Sequence, residues 1–89
     1  MTSFQKNFIL KSTDSKYIVI ELNSYVEDVR VYLNGLALMV HFGNDRIKVS
    51  PDCRYVNGHL ILSPTITETV ENGDHLKIIG FSHRKENIW

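Results

Sequence analysis

Four histidines are the side chains in this sequence best suited to metal or acid–base chemistry. They lie far apart, and no pair has the His-x-x-x-His spacing of a metal-binding helix. They would converge only if the strands that carry them shared one sheet face. Strand histidines that face solvent are the simpler interpretation, so we expect neither a metal nor a cofactor. The four are His41, His59, His75 and His83.

One acidic residue and one thiol complete the reactive groups. We expect Asp28 to lie opposite His41 in a hairpin, where it would form a polar pair or orient a catalytic imidazole. Catalysis would also need a nucleophile, and the sequence has no Gly-x-Ser-x-Gly elbow. Cys53 is the only cysteine, which excludes an internal disulfide and favours a structural thiol. We therefore predict no catalytic residues and no enzyme.

Length and charge restrict the partners. The 89 residues suffice for a single domain, residues 1–89. Ten basic residues balance ten acidic ones, so no long-range field selects nucleic acid or an anionic membrane, and we expect neither as a partner. No run of 18 apolar residues and no secretory signal occurs, and we expect a protein made in a cytoplasm.

Composition favours strands. Valine, isoleucine and threonine make up 22 of the 89 residues, against a single alanine. No long segment has apolar residues at a 3.6-residue period, although Pro64 is suited to open a helical turn over which Ile66 and Val70 pack inward. The sequence predicts an all-β fold, a small antiparallel β-sandwich or partly open barrel of about six to eight short strands.

The clearest local signal is the Asn34-Gly35 pair, which is typical of a type I′ hairpin turn. A two-residue loop there gives one aliphatic strand face, and the opposite face is mixed. The predicted aliphatic pairs are Leu33 with Leu36, Val31 with Leu38 and Val29 with Val40. The predicted pairs of the other face are Tyr32 with Ala37, Arg30 with Met39 and Asp28 with His41.

Two further Asn-Gly pairs indicate turns. Asn57-Gly58 would set Tyr55 against Leu60 and Cys53 against Leu62. Asn72-Gly73 precedes the last predicted strand, where we interpret Asp74 as a turn residue that bonds nearby backbone. Weaker signals predict a hairpin of residues 6–11 and 16–22, and a short strand at residues 46–49.

The order of these motifs resembles a known class of modules. The segments are Val-Arg-Val-Tyr-Leu-Asn-Gly-Leu-Ala-Leu from Val29, Asp-Cys-Arg-Tyr-Val-Asn-Gly-His-Leu-Ile-Leu from Asp52, and Gly-Asp-His-Leu-Lys-Ile-Ile from Gly73. Together they resemble the small β-modules of bacteriophage tail fibres and related virion appendages, over about residues 29–81. The resemblance implies a scaffold in symmetric assemblies, located in the virion and assembled in the host cytoplasm.

We therefore predict a non-enzymatic virion structural protein, as a capsid-decoration, fibre or baseplate module. It would bind copies of itself and larger virion proteins through two docking arms, residues 1–7 and 83–89, because exposed apolar ends gain from burial in a partner. The alternative is a monomeric domain that binds a host glycan or inhibits a host protein. The candidate interface residues are Phe4, Phe8, Tyr32, Ile88 and Trp89.

Overall fold

The computed structural model describes residues 2–22, 26–43 and 50–82. Its strands form sheet A, in the order β1-β8-β3-β4, and sheet B, in the order β2-β7-β6-β5. The predicted all-β fold, a small two-sheet sandwich, is confirmed. The elements are β1 (Thr2–Ile9), β2 (Val19–Glu21), β3 (Asp28–Leu33), β4 (Leu36–Ala37), β5 (Val40–Phe42), β6 (Cys53–Val56), β7 (His59–Leu62), α1 (Pro64–Thr69) and β8 (His75–Ser82).

The core lies between the two sheets. Along β8 buried residues alternate strictly with half-buried ones, as a strand with one face on a core requires. Leu76 and Ile78 on its inner face are fully buried, and so are Leu60 and Leu62 of β7. Burying each such side chain stabilises the fold by about 1.5–3 kcal/mol.

Two type I′ turns set the local registers. Asn34 and Gly35 have φ angles of 50° and 83°, and Asn57 and Gly58 have 50° and 77°, so both residues of each turn are in the left-handed region. Across the first turn Leu33 pairs with Leu36 and Tyr32 with Ala37. Across the second, Tyr55 pairs with Leu60 and Cys53 with Leu62, which confirms those predicted pairs.

A third turn fastens the end of β1 to the start of β8. The Asp74 carboxylate accepts the Glu71 N–H at 2.9 Å, and Gly73 has a φ of 93°. The Leu10 N–H donates to the Asp74 carbonyl at 2.8 Å, and the Leu10 carbonyl accepts the Gly73 N–H at 2.9 Å. Gly73 and Asp74 therefore act as structural turn residues.

The first hairpin separates sooner than the sequence predicts. The Leu38 N–H still donates to the Val31 carbonyl, at 2.8 Å. The next residue, Met39, instead donates its N–H to the Asp52 carboxylate at 2.8 Å. The Met39 carbonyl accepts the N–H groups of Asp52 and Cys53, at 3.0 and 3.1 Å. The chain thus crosses from sheet A to sheet B at Met39.

This crossover makes three predicted pairs wrong. Val40, His41 and Phe42 form β5, which pairs in parallel with β6, so the sandwich is not wholly antiparallel. Their predicted partners in β3 pair only with β8 among the described residues. The wrong pairs are Val29 with Val40, Arg30 with Met39 and Asp28 with His41.

The predicted N-terminal hairpin is also wrong. β1 pairs with β8 in sheet A, whereas β2 pairs with β7 in sheet B, so the turn-forming residues 12–15 connect two sheets. Each strand instead has a partner far along the chain, with Phe8 of β1 opposite Leu76 and Ile20 of β2 opposite Leu60. The predicted strand at residues 46–49 lies outside the described residues.

Helix α1 closes one end of the sandwich. Ser63 caps it, because its hydroxyl accepts the Ile66 N–H at 3.1 Å. Thr67 is buried, accepts the Ile18 N–H at 3.1 Å and donates to the Leu62 carbonyl. Val70, just past the helix, is part of the core. In the described part of the chain no helix is long and apolar enough to cross a membrane.

We predict that Asp52→Ala lowers the free energy of unfolding by about 1.5–3 kcal/mol, because Met39 N–H loses a charged acceptor. Urea denaturation measures the difference. Asp14→Ala is the matched control, since Asp14 is exposed in a bend and should change stability by less than about 0.5 kcal/mol. Equal effects of the two substitutions would contradict the role given to Asp52.

Candidate protein-binding surface

The structure divides the described histidines between the two sheets. His41 and His59 belong to sheet B, where they pair with Arg54 and Glu21 respectively, and His75 belongs to sheet A beside Ile9. The condition for a shared histidine face is therefore not met, and His83 lies outside the described residues. Within residues 2–22, 26–43 and 50–82, no three His, Cys, Asp or Glu side chains are grouped to hold a metal ion.

Two buried groups of sheet B have shifted pKa values. Burial, and secondarily the negative charge of Asp52, raises the pKa of the Cys53 thiol from 9.0 to about 12. Burial also raises the pKa of Tyr55, whose hydroxyl donates to the Val26 carbonyl at 3.0 Å. A thiol that stays protonated at neutral pH is a poor nucleophile, so Cys53 serves packing.

The early crossover leaves part of β3 open. On one side β3 pairs with β8 over its whole length, but on the other β4 covers only its last residues. Among the described residues no strand pairs with residues 28–30 on that second side. A strand edge of this kind presents main-chain donors and acceptors to another chain.

A groove of about 360 Å³ lies along this open edge, and we call it the edge groove. Its walls come from both sheets, and Phe42 from β5 is 43% exposed in spite of an edge-to-face contact with Tyr55, with ring centroids 6.1 Å apart. An extended segment bound here would contact both the main-chain N–H and C=O groups at the open edge of β3 and the apolar side chains of the groove. The lining residues are Asp28, Val29, Arg30, Val31, Tyr32, Ala37, Leu38, Val40 and Phe42.

Cations and aromatic rings alternate on the outer face of sheet A. The Lys77 ammonium lies 4.8 Å from the centre of the Tyr32 ring, and the Arg30 guanidinium 5.8 Å from that of Phe81. Tyr32, a predicted interface residue, is thus half-buried at the rim of the edge groove.

The other predicted interface residues have different positions. Residues 2–7, predicted as a docking arm, belong to β1. Phe4 and Phe8 are half-buried, and Phe8 packs against the core, so it contributes to the fold. Ile88, Trp89 and the rest of the arm at residues 83–89 lie outside the described residues.

A second groove, of about 330 Å³, lies where α1 meets sheet B. Tyr17, which is 46% exposed, lines it together with Arg54 and Ile61. An exposed ring beside a cation and an apolar side chain has the chemistry to bind a sugar ring. This groove is the feature that favours the glycan-binding alternative.

Sequence reasoning missed the edge groove. The groove forms because the chain after β4 turns away from β3 at Met39. The Asp52 carboxylate, 13 residues farther along the sequence, binds the Met39 N–H and holds the chain there. One feature of the sequence points to the groove. The predicted strand that ends at Phe42 continues beyond the start of β3, so the predicted hairpin gives Phe42 no partner.

Comparison of the chain with protein-family models, curated proteins and solved structures gives no match.

We predict that stability falls as the pH rises from about 9 towards 12, because the Cys53 thiol ionises more readily in the unfolded chain. Below about pH 8 the thiol is almost wholly neutral in both states and adds little pH dependence. The slope is at most about 1.4 kcal/mol per pH unit. Cys53→Ala should lose less stability than the wild type between pH 8 and 10.5 in urea denaturation, and equal losses would contradict a buried neutral thiol.

Proposed function

We propose that this chain is a non-enzymatic assembly module that binds copies of itself and larger structural proteins. The open edge of β3 carries the proposal, because its residues 28–30, which no other described strand pairs on that side, border an apolar groove. A small domain buries a limited fraction of its surface, so covering this edge would also stabilise it.

The narrower proposal is a component of a bacteriophage virion: a capsid-decoration, fibre or baseplate module. Its support is the resemblance over residues 29–81. The three resembling segments coincide with the β3–β4 hairpin, the β6–β7 hairpin and the turn that opens β8. An antibody against this chain should label particles of the virus that encodes it, and unlabelled particles would contradict the virion assignment.

We predict that the full chain forms a closed oligomer whose population grows with concentration. Sedimentation velocity between about 10 µM and 1 mM measures it, because weak interfaces become populated over that range. A strict monomer throughout would contradict self-assembly.

The alternative is a monomeric binding domain for a glycan or a host protein, favoured by Tyr17 in the second groove. Titration with neutral and acidic oligosaccharides, followed by amide NMR, separates the two proposals. Shifts centred on Tyr17 and Ile61 in a monomeric chain would support the alternative. Tyr17→Ala should abolish those shifts, and Tyr32→Ala is the matched control on sheet A.

A further inference from the structure

The bonding pattern of β3 shows which main-chain groups point out of its open edge. The Leu38 N–H donates to the Val31 carbonyl on the β4 side, whereas the Asn34 N–H donates to the His75 carbonyl on the β8 side. Because these directions alternate along an antiparallel strand, Val29 directs both its N–H and its C=O out of the open edge.

We infer that a second copy of this chain pairs antiparallel with that edge, with Val29 opposite Val29 across a twofold axis. The inference rests on the proposed function and names its partner and surface. The two A sheets then join into one continuous sheet through their β3 strands. A twofold contact requires a self-complementary patch, and the residues beside Val29 supply it.

Charge complementarity fixes this register. With Val29 opposite Val29, Asp28 of each copy lies opposite Arg30 of the other, so the contact contains two opposite-charge pairs. Val29 and Val31 are buried, and Asp28 and Arg30 therefore share the outer face of the strand. A register shifted by two residues would lose both pairs and set either Arg30 opposite Arg30 or Asp28 opposite Asp28.

The described residues leave room for the second copy beside residues 28–30. Leu38 already occupies the position opposite Val31, so only residues 28–30 of each strand pair with the other copy. The chain before β3 turns inward, since Val26 is 3% exposed and its carbonyl accepts the Tyr55 hydroxyl. Because the second copy's chain also turns inward before its residue 28, it leaves the joined sheet before it reaches the position that Leu38 occupies. Phe42 in the edge groove would be covered by the second copy.

The other long edge of sheet A is less suited to such pairing. β1 carries Lys6 in register with Ile78, on the face that points to the core, and Lys6 is exposed. A charged side chain facing inward on an edge strand opposes the addition of a further strand, because burial would desolvate it. Residues 28–30 present no lysine, which favours β3 as the docking edge.

The first test reverses charges in the full chain. We expect a weak dimer, because the paired segment is short. Asp28→Arg sets like charges opposite each other twice and should weaken the dimer at least about tenfold in sedimentation equilibrium. The double variant Asp28→Arg with Arg30→Asp restores both pairs and should recover most of the affinity. Asp14→Arg, an exposed reversal outside the edge groove, is the matched control and should have no effect.

The second test is a disulfide between two variants. Residues 28 and 30 of opposite copies form a non-hydrogen-bonded pair, whose Cα separation of about 4.5 Å suits a disulfide. An oxidised mixture of Asp28→Cys and Arg30→Cys chains should therefore cross-link efficiently, and each variant alone much less. The buried Cys53 does not compete.

Three results would overturn the inference. A wild-type chain that stays monomeric at 1 mM would remove both the inference and the proposed self-assembly. A dimer that Asp28→Arg leaves intact would remove the inference alone, since self-assembly would then use another surface. Equal cross-linking of the mixture and of each variant alone would reject this register. Circular dichroism of every variant confirms that the fold is retained.

Discussion

The reciprocal bonding of Met39 and Asp52 is the constraint on which the arrangement of the two sheets depends. The Met39 N–H donates to the Asp52 carboxylate and the Met39 carbonyl accepts two main-chain N–H groups, so the backbone at Met39 is held against sheet B. Without this anchor, the apolar pattern of residues 36–42 would allow the first hairpin to continue along β3. The same bonds therefore create β5, place it parallel to β6 and leave β3 open.

Local chemistry made the turns predictable. Asn34-Gly35 and Asn57-Gly58 impose positive φ at two successive residues, and the adjoining registers follow within two or three residues of each turn. Farther from the turn, the prediction depended on alternation alone. Alternation says which face of a strand is apolar but not which strand lies beside it, so Val29 was paired with Val40 instead of Gly80.

The candidate surface was harder to predict for the same reason. The sequence predicts Tyr32 as an interface residue on the mixed face of the first hairpin, and in the structure Tyr32 lines the edge groove. The sequence predicts Val40 opposite Val29, whereas the crossover puts Val40 and Phe42 in β5, so they line the groove from sheet B. Phe8 was expected to dock on a partner, but its register with Leu76 places it against the domain's own core.

The central position of β8 affects how this chain can fold during synthesis. β1 and β3 both lie against β8, which is the last described strand to leave the ribosome. Until then, β1 and β3 have apolar side chains to bury and no central strand to join them. Because these contacts span most of the chain, the loop-closure cost is high and folding should be slow for a domain of this size. All four strands of sheet B, β2, β5, β6 and β7, are synthesised before β8. We therefore expect sheet B to form before sheet A.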